Sequence, residues 1–141
     1  MADYNFVVLT GRATKEPALR HKASGQLKVE LSLEVERPFR RVTGEAVSDL
    51  FLVDVWGDLA YRFADRIHAG TTVLLIGTLN KESFVTRHGH KEHLTVIKAK
   101  YIRILENGVA SLPSLDWESI KLDSWSDEVI ADYLEAVENN I

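Results

Sequence analysis

The chain has 141 residues and no cysteine, which excludes disulfides, thiolate metal centres and a cysteine nucleophile, and suits any reducing compartment. It also lacks an apolar run approaching the roughly 20 residues that a bilayer crossing requires. The first ten residues show neither the basic start nor the small-residue cleavage site of an export signal, so a soluble, unexported protein without a membrane partner is expected. Internal repeats and low-complexity runs are missing. So are catalytic signatures: no Gly-x-Ser-x-Gly, phosphate-cradling Gly-rich loop or His-Glu-x-x-His occurs, and most carboxylates alternate along strand-like segments where they meet solvent. The expectation is a protein that is not an enzyme and needs no cofactor.

What the chain does contain is a division of charge. Residues 1–105 carry sixteen Lys/Arg against twelve Asp/Glu, a balance of +4, whereas residues 106–141 carry one against nine, a balance of -8. A basic domain over 1–105 and an acidic linker and tail over 106–141 follow, the first suited to a polyanion and the second to a different partner.

Leu27, Val29, Leu31, Leu33 and Val35 alternate with Lys28, Glu30, Ser32, Glu34 and Glu36, the period-two pattern of a strand buried on one face. Shorter runs of that kind cover residues 6–12, 50–56, 72–79, 82–87 and 93–105, with turns at Gly25, Gly44 and Gly89. One helix is predicted between the third and fourth strands, with Asp58 as N-cap, Leu59, Ala60, Phe63, Ala64 and Ile67 on one face, and Gly70 as its stop. A mainly β, five-stranded Greek-key barrel with one helix in that place is an OB fold, which commonly binds oligonucleotides. Beyond Gly108 and Pro113, a second helix is predicted over 127–138 from the stripe of Val129, Ile130, Tyr133, Leu134 and Val137.

Strand parity selects the candidate contacts. If Phe51, Val53 and Val55 fill the core, Leu50, Leu52, Asp54 and Trp56 point outward. An outward tryptophan either packs against another subunit or offers its face to an unpaired base, a stack worth roughly 1 to 3 kcal/mol. Phe39 stands among Arg37, Arg40 and Arg41 at one hairpin tip, and Phe84 among Lys81, Arg87 and Lys91 in another. Rings interleaved with cations fit a sequence-tolerant single-strand site, although either phenylalanine also suits packing at a barrel end or between subunits. Asp54 opposes this reading, since it would repel phosphates unless a Lys or Arg pairs with it. His88, His90 and His93 lie within six residues, but the turn at Gly89 directs them apart, so added positive charge at low pH is preferred to a metal site. Outward Leu50 and Leu52, with Leu74 and Ile76 on a strand apolar on both faces, suggest subunit contacts.

Through Asn5-x-Val7-x-Leu9-x-Gly11-Arg12, Glu16-Pro17-x-Leu19-Arg20 and Gly25, then Val55-Trp56-Gly57-x-Leu59-Ala60, Gly70-x-x-Val73-x-x-Gly77-x-Leu79 and Ile104-Leu105, the chain resembles the bacterial single-stranded DNA-binding proteins. The likeness covers roughly the first three quarters. It implies an OB-fold homo-oligomer, dimer or tetramer, that wraps single-stranded DNA in replication, recombination and repair, in the nucleoid-bearing cytoplasm or a plastid stroma. Phe39, Trp56 and Phe84 fall where that family stacks bases, and a fourth such place falls on Leu50, which does not stack alike. Arg12, Arg20, Arg37, Arg40, Arg41, Lys81, Arg87 and Lys91 are the expected phosphate neutralisers. The family's acidic tip closing on Phe is absent from Glu138-Asn-Asn-Ile141. The acidic helix is accordingly read as packing on the barrel or a second subunit, as a handle for a partner protein, or as a cover over the cationic site. An OB-fold adaptor of the primosomal kind, working through protein assembly with weak nucleic-acid binding, is the alternative.

Overall fold

The computed structural model describes residues 2–38, 40–108 and 135. Phe39 lies outside the described residues, as does the C-terminal helix expected over 127–138 except for Glu135. Six strands and one helix occupy the described part: β1 (Val7–Ala13), β2 (Ala18–His21), β3 (Leu27–Glu36), β4 (Ser48–Trp56), α1 (Gly57–Phe63), β5 (Thr72–Val85) and β6 (Lys91–Ile104). Hydrogen bonding orders them β1-β5-β6-β4-β3-β2, and β1 also meets β3 through Arg12 opposite Glu34 and Ala13 opposite Leu33. That last contact closes the five long strands into a ring. With short β2 lying outside the ring, the helix falls between its third and fourth strands, as expected of an OB fold.

Closure depends on a residue without a side chain. A Cβ on Gly11 would lie 2.6 Å from the Glu34 carbonyl oxygen, so only hydrogen fits where β1 crosses β3. The alternation of β3 is realised from Leu27 to Leu33, with Leu27, Val29, Leu31 and Leu33 buried and Val35 partly so. They meet Val53, Val55, Val73, Leu75, Ile97 and Ile102 in one apolar core, capped by Ala60, Phe63 and Ile67. No helix among the described residues is long and apolar enough to cross a membrane.

Four local expectations need correction. Asp58 is not the N-cap: α1 begins at Gly57, with φ 65°, behind an extended Trp56 that makes no side-chain cap bond. The helix ends at Phe63, before Gly70, whose N–H instead donates to the Ala13 carbonyl at 2.7 Å. The predicted segments 72–79 and 82–87 are one strand, β5, which stays paired with β6 through its polar middle. Finally, Leu74 is 1% exposed within the single chain and offers no subunit contact, whereas Leu50 at 66% and Leu52 at 41% do face solvent.

Candidate nucleic-acid interface

The outer face of β2, β3, β4, β6 and β5 is built by cross-strand register. β3 places Lys28 opposite Trp56, Glu30 opposite Asp54 and Ser32 opposite Leu52. The parallel β4–β6 ladder sets Lys98 beside Asp54, and β5 brings Glu82 opposite Leu94 and Phe84 opposite Glu92. Between them lies a groove of about 280 Å³ whose apolar lining includes Leu52, Leu94 and Phe84, and whose polar lining includes Lys28, Glu30, Asp54 and Glu82.

Three carboxylates would make such a groove hostile to phosphate, yet each has a cation. Arg20 pairs with Glu30, Lys28 with Asp54 at 3.5 Å and Lys98 with Glu82 at 3.7 Å. The pairs step across five strands and leave this face close to neutral. Asp54 departs from its expected exposure, being only 5% exposed, because Lys28 and the β5–β6 strands close around it. Burial raises its carboxyl above the ordinary 3.8, Lys28 opposes the rise, and nearby Glu30 and Glu82 add to it.

Of the three expected stacking rings, Phe84 is 47% exposed at the groove. Trp56 is half-buried, with the ammonium groups of Lys28 and Lys22 at 5.3 and 6.0 Å from its ring centroid. These are cation–π distances, so a base settling on that side displaces ammonium groups. Phe39 is outside the described residues; elsewhere between β3 and β4 the Arg37 N–H donates to the Val47 carbonyl, and Gly44 has φ 88°.

The expected phosphate contacts divide into two sets. Arg12 pairs with Glu34 at 3.4 Å, Arg20 with Glu30, and Arg37 grips Asp49 with two bonds of 2.7 and 2.9 Å. The bidentate contact holds the Asp49 carboxyl below its ordinary value and raises the Arg37 guanidinium. In contrast, Arg40, Arg41, Lys81, Arg87 and Lys91 are exposed and make no ion pair among the described residues, Arg40 only donating to the Gly44 carbonyl at 3.1 Å. Lys81 and Lys91 do not share a face with Phe84. The register pairs Lys81 with Thr95 and Val85 with Lys91, on the side of the ribbon away from Phe84 and Glu92. Sequence reasoning missed Lys22, Lys28 and Lys98, of which Lys28 carried a signal: it shares the outward parity of Glu30.

At the far end of the barrel, Glu16 accepts a bond from the Ala69 N–H at 3.1 Å and lies 3.0 Å from His68 Nδ1. The contact lowers the Glu16 carboxyl and raises the His68 imidazole.

A closed Greek-key barrel with one helix between its third and fourth long strands is an OB fold. The profile of the single-strand binding protein family matches residues 4–105, and the chain belongs to that family. It is 30% identical over 107 residues to a single-stranded DNA-binding protein of Enterococcus faecalis, covering 76% of this chain and 57% of that one. Over 103 residues it is 31% identical to single-stranded DNA-binding protein 3 of Listeria innocua, covering 73% and 64%, and 29% identical to single-stranded DNA-binding protein 1 of Lactococcus lactis, covering 73% and 69%. The match thus spans less than two thirds of the Enterococcus and Listeria relatives.

Proposed function

We propose that the chain binds single-stranded DNA with little regard to sequence, as a homo-oligomeric, non-catalytic protein of replication, recombination or repair, in the nucleoid-bearing cytoplasm or a plastid stroma. Residues 1–105 form the binding domain, and 106–141 an acidic appendage open to a partner protein. Bases stack on Phe84, Trp56 and Phe39. Phosphates meet Arg40, Arg41, Lys81, Arg87 and Lys91 directly, and reach Arg12, Arg20 and Arg37 by displacing carboxylates. The observation that carries the reading is the outer-face groove, where Phe84 is exposed and every lining carboxylate is matched by a cation. Flat ring faces accept any base, which makes binding tolerant of sequence. Family membership and the names of the relatives support the same ligand.

The test is titration of the full chain with oligo(dT), oligo(dC) and oligo(dA), repeated with Trp56→Ala and Phe84→Ala. Each substitution should weaken binding by roughly 1 to 3 kcal/mol for all three polymers alike. A loss confined to one polymer contradicts stacking, and no binding by the unaltered chain turns the reading towards the adaptor.

A further inference from the structure

Register sets Lys28 of β3 opposite Trp56 of β4, and Glu30 opposite Asp54. Asp54 and Trp56 are two residues apart in β4, so both side chains leave its outer face. Between them stands one ammonium group: Lys28 Nζ lies 3.5 Å from Asp54 Oδ2 and 5.3 Å from the Trp56 ring centroid. The Lys28 side chain is only 16% exposed, unlike Arg40, Arg41, Lys81, Arg87 and Lys91, which stand in solvent. Lys22, the other ammonium near the ring, is likewise exposed. Among the described residues Asp54 has no second ion-pair partner, and Lys98, beside it on β6, is engaged by Glu82 at 3.7 Å.

We propose that Lys28 is a positioning residue of the single-strand site: it steadies the Trp56 ring for stacking and cancels the Asp54 charge beneath the groove, without itself meeting phosphate. The inference rests on the single-strand reading and deepens it. An ammonium has three donors and no acceptor, so Lys28 serves the carboxylate and the ring together. A phosphate that drew it outward would leave the Asp54 carboxylate buried and unpaired, a far costlier state than opening an exposed pair such as Arg20–Glu30. Lys28 therefore stays in place when a strand binds, and the base takes the ring from the side that the ammonium leaves open.

The charged groups around Asp54 are Lys28 and Glu30 from β3, Glu82 from β5 and Lys98 from β6. Burial raises its carboxyl, Lys28 opposes the rise, and Glu30 and Glu82 add to it. Replacing Lys28 by an uncharged side chain removes the opposition, so the carboxyl rises further. Below its new value Asp54 is neutral and leaves a strand undisturbed. Above it, an unmatched negative charge lies under the bases and repels the backbone.

The experiment titrates labelled oligo(dT) with the unaltered full chain, Lys28→Met, the double variant Lys28→Met, Asp54→Asn and a Lys81→Met control, over salt and pH series. Circular dichroism checks that each variant folds. Lys28→Met should bind several-fold more weakly near neutral pH and regain affinity as pH falls, more steeply than the unaltered chain. Its log-log salt slope should stay that of the unaltered chain, whereas the control's becomes shallower by about 0.7. The double variant leaves no charge unmatched, so it should recover most of the loss, keep the unaltered slope and shed the added pH dependence. It also carries the test if Lys28→Met alone does not fold. Combined with Trp56→Ala, Lys28→Met should cost less than the two losses summed. A loss that persists in the double variant, with a slope shallower by about 0.7, puts Lys28 on phosphate and overturns the inference. So does a Lys28→Met chain that binds like the unaltered one at every pH. An unaltered chain that binds no oligo(dT) refutes the single-strand reading itself, a different result.

Discussion

Salt dependence separates the cations that are free to meet phosphate from those already committed. Each phosphate neutralised on a single strand releases counterions and contributes about -0.7 to the slope of log affinity against log salt. If all eight expected residues acted alike, the slope per chain would approach about -5.6. Arg12, Arg20 and Arg37, however, are held by Glu34, Glu30 and Asp49. A phosphate displacing one of these carboxylates leaves it to recruit a cation from solution, which offsets the release. Arg40, Arg41, Lys81, Arg87 and Lys91 remain, giving about -3.5, or about a hundredfold loss of affinity over a fourfold rise in salt. The assay is anisotropy of labelled oligo(dT) with the full chain across a salt series. Substituting Glu30→Gln and Glu34→Gln frees Arg20 and Arg12, and should steepen the slope by about 1.4 while tightening binding at low salt. An unaltered slope near -5.6 on the scale above would refute the argument that internal pairing silences those arginines. A slope near zero would refute phosphate contact altogether.

Further outcomes follow from the barrel itself. A Cβ on Gly77, at the β5–β6 register shift, would lie 2.2 Å from the Lys98 carbonyl oxygen. Gly77→Ala should therefore cost about 1 to 3 kcal/mol in urea unfolding, and an unchanged midpoint would show that β6 yields freely there. Because burial raises the Asp54 carboxyl, the folded chain holds that proton more tightly than the unfolded one. The stability of the unaltered chain relative to Asp54→Asn should fall as pH rises above 3.8, and a difference independent of pH contradicts this. For the Glu16–His68 contact, His68 is raised above 6.5 and contributes stability below that pH, lost as pH climbs through its folded value. Glu16 is lowered below 4.5 and contributes above that pH, so thermal melts of Glu16→Gln should differ most from the unaltered chain between pH 4.5 and 6.5. A larger gap at pH 8 would run against the assignment.

The barrel was legible because its signals are periodic. β3 alternates without interruption, β4 parity correctly separates Val53 and Val55 from Leu50 and Leu52, α1 turns Ala60 and Phe63 inward, and Ile67 is buried just beyond it. β2 was missed because its four residues are all exposed and show no alternation. β5 was divided because Asn80 to Ser83 are polar, whereas its continuity comes from hydrogen bonds to β6 that local composition does not report. The site was less legible for a related reason. Outward parity says which way Asp54 leaves β4, but its burial depends on Lys28 from β3 and on the neighbouring strands. Arg12 and Arg20 look like free cations until register sets Glu34 and Glu30 beside them. The separation of Lys81 from Phe84 was in plain view: three residues apart in a strand means opposite faces.

Stacking on the outer-face rings requires that the bases be unpaired. Its most direct test is the affinity of the full chain for one oligonucleotide as a free strand and as a duplex, at equal salt. The free strand should bind, and the duplex, whose base faces are already stacked, should bind far more weakly. Equal affinity for the two would contradict it.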